Sequence, residues 1–223
     1  MAELTLSIPA TNLFAPSSWG NRSQIKNMLD NIWQNYGKSI KFSEKNSRIP
    51  SAIILSFIAV ESGGNPTAGS NGHITQGLMQ WNRTYAKSQL EDEYAKKRMT
   101  IGERDKLAEY GITFDNNGKT RVITNVDQIK PDLNILIGSI LIGQLIDTKW
   151  GTDNGKFRLD RIIAVYNAGA YGTTGKLARL SNIPTAFDLA QKVNPITRSY
   201  IEKMLGKNGA LDIATTDLKE DIS

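Results

Sequence analysis

The feature that most constrains this chain is residues 49–62, IPSAIILSFIAVES, in which the only charged residue is Glu61. Pro50 suits the first turn of a helix, where one N–H is unsatisfied in any case, and Gly63-Gly64 ahead of Pro66 stop it. Ile53, Ile54, Leu55, Phe57, Ile58 and Val60 cover every side of such a helix, so it is central and buried rather than a surface amphipath. Glu61 then falls in its last turn. The negative end of the helix dipole and partial burial both oppose ionisation there and act to raise the carboxyl pKa. A carboxyl shifted in that direction is what a general acid working near neutrality needs. The other reading is a carboxylate that leans into solvent from a helix end, and position alone leaves both open.

Composition narrows the chemistry. The 223 residues, 39% of them hydrophobic and without an internal repeat, suit one large domain or one domain with embellishments. With no cysteine and a single histidine, His73, there is no thiol nucleophile, no disulfide, no Ser-His pair to rely on and no His-rich metal site. No cofactor or metal is expected. Asp115-Asn116-Asn117-Gly118 has its glycine at the fourth position, whereas a calcium loop needs it at the sixth, so a turn is the better reading. No stretch approaches the roughly 20 apolar residues of a membrane span, and the N-terminal segment lacks the basic start and apolar core of a secretory signal. The net charge is +5, and residues 208–223 hold four acidic residues against Lys219, so the body of the chain is more basic than the whole. Such a body is drawn to polyanions, cell-wall polymers among them. Residues 94–106, YAKKRMTIGERDK, mix both signs and read as a solvated helical face; without aromatics interleaved among basic clusters, nucleic acid is not the expected partner.

The pattern along the chain is mostly helical. Residues 1–22 read as an extended arm, followed by a helix in which Ile25, Met28, Leu29, Ile32, Trp33 and Tyr36 recur at helical spacing; arm and helix together make an N-terminal region, 1–47. Residues 63–82 hold Gly63, Gly64, Pro66, Gly69, Gly72 and Gly77, which is loop or short-hairpin chemistry. Residues 83–110 read as one or two surface helices, with Thr100-Ile101-Gly102-Glu103 shaped like a capping box. A small hairpin is expected at 115–124, apolar helices at 132–149 and 158–168, and a last helix at 195–205. The acidic tail, 207–223, is expected to be disordered.

Four ordered motifs resemble the lytic transglycosylase family, whose catalytic domain has the mostly helical lysozyme-like fold also seen in goose-type lysozymes. They are AVESGGNPTAGSNG around Glu61 and Ser62, Gly77-Leu78-Met79-Gln80, Asn134-Ile135-Leu136-Ile137-Gly138, and Tyr166-Asn167-Ala168-Gly169. The resemblance covers about 48–206 and implies a mostly α, lysozyme-like domain with a small loop or β-hairpin region. The interval after Gln80 is longer than usual, so about 83–128 is expected to be an inserted helical segment that borders the cleft rather than completes the core. VNPITRSYIEKML resembles the family's closing helix, with Ile196 where a glutamate is common.

What the resemblance implies is a peptidoglycan lytic transglycosylase with Glu61 as the catalytic residue and Ser62, Met79, Gln80, Tyr166 and Asn167 as substrate-binding candidates. Gln80 can both donate to and accept from an acetamido group; in the plainer reading Leu78 and Met79 are core and Gln80 is surface. Tyr166 and Asn167 either align an N-acetyl group or steady Glu61, or else finish an apolar helix structurally. Asn134 and Gly138 read as packing residues. Hydrolysing glycosidases usually need two carboxylates, and none stands between Glu61 and Glu91. The family mechanism uses one. Glu61 protonates the MurNAc–GlcNAc bond, the substrate's acetamido group supports the cationic centre, and Glu61 then takes the proton of the C6 hydroxyl as a 1,6-anhydro ring closes. The alternatives are a goose-type muramidase that recruits Asp92, Asp105 or Asp115, and a virion structural protein with a wall-binding domain. Bacterial members usually carry an export signal or lipid anchor, and none is recognisable here. The expectation is therefore a bacteriophage enzyme made in the infected host's cytoplasm and acting on wall peptidoglycan, with virion proteins as further partners.

Overall fold

The computed structural model describes residues 13–47, 49–69, 74–148, 151–153, 156–169 and 183–219. Residues 1–12 of the expected arm, His73 and the end of the acidic tail lie outside them. The described residues form mostly helices: α1 (Arg22–Ser47), α2 (Ser51–Ser62), α3 (Arg83–Ala95), α4 (Ile101–Glu109), α5 (Asn125–Gln128), α6 (Pro131–Ile146), α7 (Leu159–Ala168), α8 (Ala186–Lys192), α9 (Pro195–Leu205) and α10 (Ala210–Thr216). A two-residue antiparallel pair, β1 (Thr152–Asp153) and β2 (Lys156–Phe157), sets Thr152 opposite Phe157. None of these helices is long and apolar enough to cross a membrane.

The chain divides into two compact units, one gathering Asn31–Gln144 and the other the segments to Asp30 and from Leu145 to Asp221. In the first, α2 buries every residue from Ser51 to Ala59, as its all-round apolar surface requires. It ends as the glycines dictate: Gly63 takes the left-handed conformation, φ 60°, and its N–H bonds Ala59 O at 3.0 Å. Helix α6 is equally uncharged beyond Asp132 and buries every residue from Leu133 to Ile142; at Gly138 a side chain would run into Met79.

The segment 83–128 differs from its expectation. Ala86, Leu90, Met99, Leu107, Ile112 and Ile123 are buried, and Tyr94 stacks on Phe114 with centroids 4.3 Å apart, so it supplies core to its unit instead of only bordering a cleft. Each helix carries only one or two buried apolar residues, Ala86 and Leu90 on α3 and Leu107 on α4, too few among polar neighbours to stand out in a periodicity reading. The capping box is present, with Glu103 N bonding Thr100 Oγ1 and Thr100 N bonding Glu103. No β ladder forms at 115–124: Asp115 Oδ1 accepts from Asn117 N and Lys119 N at 2.8 Å each, and this side-chain turn replaces the expected hairpin.

In the second unit α9 packs against α7, α8 and α10. The tail expected to be disordered instead continues as α10, because Leu211, Ile213, Ala214 and Leu218 are apolar at helical spacing and all are buried. Arg22 clasps it, its guanidinium bonding Asp217 at 2.6 Å, Asp212 at 3.1 Å and Thr216 at 2.7 Å. That clasp holds Asp217 below the usual carboxylate range, through the hydrogen bond from Arg22 above all.

Candidate active site

Glu61 is half-buried in the last turn of α2, one residue beyond a run of nine buried residues. Ser62 does not point at open space. Its Oγ donates to Ile58 O at 3.1 Å and accepts from Gly64 N at 3.2 Å, which fixes the turn that leaves the helix. From that turn the hydrogen bonds run on without interruption: Asn65 N to Ser62 O, Ala68 N to Asn65 O, and Gly77 N to Ala68 O at 3.0 Å. Ala68 O also accepts from Gln80 Nε2 at 2.8 Å. The end of the catalytic-candidate helix and the Gly77–Gln80 turn are thus parts of one bonded loop, closed at its far side by a bridge between Thr75 and Asn82.

Gln80 stands in the left-handed region with φ 46°, which an L residue adopts only when its surroundings demand it. Its amide explains the demand. Nε2 donates to Ala68 O and to Gly77 O at 2.7 Å, so both N–H groups close the loop and Oε1 is what remains for a ligand. The expected two-way bonding with an acetamido group therefore reduces to accepting. Met79 is corrected outright as a substrate contact: it is fully buried, with its sulfur against Gly138 of α6, and it backs the loop.

What holds this loop is a residue read from sequence only as packing. Asn134 is fully buried on α6; its Oδ1 accepts from Met79 N at 2.7 Å, and its Nδ2 donates to Gln76 O at 3.1 Å and Gln128 O at 2.7 Å. Its backbone carbonyl receives the indole N–H of buried Trp81 at 2.9 Å. Gln128, also fully buried, donates to Ile74 O and Trp81 O. Gly77, with φ 85°, lies so close to Gln128 O and Asn134 that no side chain fits. A buried Asn on an otherwise apolar helix was the sequence signal for this role, since such an amide must find several partners.

Two of the three candidate second carboxylates, Asp92 and Asp115, have local duties. Asp92 is bonded by Lys96 at 2.7 Å and Arg98 at 3.3 Å, Asp115 caps its own turn, and Asp105 is exposed on α4. Tyr166 and Asn167 belong to the other unit, half-buried at the end of α7. Asn167 Oδ1 accepts from Thr197 Oγ1 at 2.8 Å, tying α7 to the first turn of α9.

Residues 38–104 match the family model of the transglycosylase SLT domain. The match supports a lytic transglycosylase family for this part of the chain. Among curated proteins, no relative matches it. The mostly helical architecture is consistent with the lysozyme-like fold of an SLT domain, and the match supports a peptidoglycan-cleaving function. The matched range holds Glu61, Ser62, Met79 and Gln80 together with α3 and the start of α4; Asn134, Tyr166 and Asn167 lie beyond it.

Proposed function

We propose that the SLT domain cleaves the MurNAc–GlcNAc β-1,4 bond with Glu61 as its single acid and base, leaving 1,6-anhydroMurNAc ends. The observation that carries this reading is Glu61 itself: a half-buried carboxyl on the last turn of a buried helix, within the matched segment, and bonded through the loop to Gln80. Glu61 donates its proton to the glycosidic oxygen as the bond to C1 breaks. The acetamido carbonyl of the muramyl residue stabilises the cation. Glu61, now a carboxylate, accepts the proton of the C6 hydroxyl as its oxygen bonds C1, so the carboxyl is regenerated without water. Gln80 Oε1 accepts from the acetamido N–H and orients that group.

Support for ring closure over hydrolysis comes from the absence of Asp or Glu from 62 to 90 and from the local partners of Asp92 and Asp115. A tethered hydroxyl gains up to about 7–11 kcal/mol over a free nucleophile when well aligned. Glu61→Gln keeps shape but cannot transfer a proton, and cleavage of purified sacculi should fall by about 10²–10⁴-fold with an unchanged melting curve. Digestion in heavy-oxygen water should release anhydromuropeptides without label. Labelled reducing ends would instead identify a muramidase. We place the enzyme in a bacteriophage acting on the host wall, as a lysis protein or virion component; finding the chain by mass spectrometry in purified particles tests that assignment.

A further inference from the structure

Beside the Gly77–Gln80 turn lies a surface that the cleavage reaction does not use. Ile74, at the start of the loop, is 48% exposed although its carbonyl is held by Gln128 Nε2 at 3.1 Å and by Arg83 N at 3.4 Å. Helix α5, held beneath it through Gln128, presents Val126 at 61% exposure, and Ile129, the residue that follows the helix, is 38% exposed. Three aliphatic side chains thus stay in water on a short helix and a loop whose other contacts are fixed.

A cation stands among them. The half-buried Arg83 guanidinium is bonded to the neutral amide of Asn125, the first residue of α5, and among the described residues it has no carboxylate partner. Most other basic side chains nearby are neutralised, Arg121 and Lys130 by Asp127 and Lys87 by Glu91. Arg83 is also the first residue of α3, whose positive end adds to its field, although Asn82 Oδ1 already caps the N–H groups of Thr84 and Tyr85. An amide-steadied guanidinium flanked by aliphatic groups suits a ligand that is itself a short chain of small aliphatic residues ending in carboxylates.

Resting on the proposed cleavage of peptidoglycan, we infer that Arg83, Asn125, Ile74, Val126 and Ile129 form a subsite for the acidic peptide carried by the muramyl residue. The guanidinium binds a peptide carboxylate and the aliphatic groups contact alanyl methyls. The chain's net charge of +5 favours the same anionic ligand.

The test compares glycan strands that carry peptides with the same strands stripped by an amidase, using the full chain. Arg83→Gln should lower kcat/KM on peptide-bearing strands about tenfold, chiefly through KM, the scale of one charge-assisted hydrogen bond at a partly exposed site. The loss on stripped strands should be much smaller, Arg83→Lys should recover part of it, and Ile129→Ser should shift the same ratio by about two- to threefold. Equal losses on both substrates, or none on either, would overturn the subsite. Failure of the wild-type chain to cleave either substrate would instead remove the cleavage reading on which it rests.

Discussion

The loop at 74–82 and the segment at 110–128 belong to the same compact unit, yet they are held by opposite chemistry. The first is pinned by neutral, fully buried amides, Asn134 and Gln128, which bond Gln76, Met79, Ile74 and Trp81. The second is pinned by ions. Asp127, with its side chain 4% exposed, takes Arg121 at 2.7 Å, Lys130 and the N–H of Thr124, while Glu91 takes Lys87, Lys119 at 3.0 Å and Thr120 N at 3.1 Å. Amides do not titrate, so the segment that carries Gln80 keeps its geometry at any pH at which the unit folds. The ion-held segment has a charge state, and its grip depends on acidity.

Breaking the amide side should have the largest effect. Asn134→Ala strands Met79 N–H and two carbonyls in a dry interior, and at roughly 1–3 kcal/mol for each unmet group, partly relieved by relaxation, about 3–5 kcal/mol is expected. Chemical unfolding should show this loss unchanged between pH 5 and 8, and cleavage of sacculi should fall with it. A loss that varied steeply with pH would mean that the loop depends on an ionised group after all.

Asp127→Asn comes next, at about 1–3 kcal/mol near neutrality. Burial pushes Asp127 up, but the Arg121 guanidinium and the bonds from Thr124 outweigh it and hold the carboxyl well below the ordinary aspartate value. A carboxyl depressed by folding stabilises above its unfolded pKa and loses that contribution as pH falls toward the folded one. The gap between variant and wild type in urea midpoint should therefore narrow steadily below about pH 4.

The smallest effect sharpens the comparison. Glu91 is raised by burial and lowered more by Lys87, Thr120 N–H and Lys119, to about 2 from a usual value of 4.5. Glu91→Gln should lower the melting temperature by about 2–4 °C at pH 7, with the difference fading as pH drops from about 4.5 to about 2. Persistence of the full difference at pH 2 would show that shape, rather than charge, is what Glu91 contributes.

Much of the fold was legible because its strongest signals are local. The bounds of α2 follow from Pro50 and Gly63, α9 spans the 195–205 read from its pattern, and the capping box starts α4 where Thr100 and Glu103 foretold. The misreadings share a cause. Charged segments 83–110 and 210–219 each hide a few apolar residues among many polar ones, and only a neighbouring surface decides that Leu90, Leu107, Leu211 and Ile213 are core. At the candidate site, Glu61 and Gln80 stand out by their motifs, whereas the burial of Met79 against Gly138 and the commitment of both Gln80 N–H groups to Ala68 O and Gly77 O depend on how the loop folds.

By itself, then, the sequence determined a central uncharged helix with one carboxyl on its last turn, because hydrophobicity on every face and glycine at the stop are properties of the residues alone. Tertiary structure decided how the following loop is shaped. A loop without periodic structure must satisfy its backbone N–H and C=O groups from elsewhere, and here Asn134 and Gln128 do so from 55 and 47 residues away, at Met79 and Trp81. No local propensity encodes that pairing; it exists only once α5 and α6 are folded against the loop.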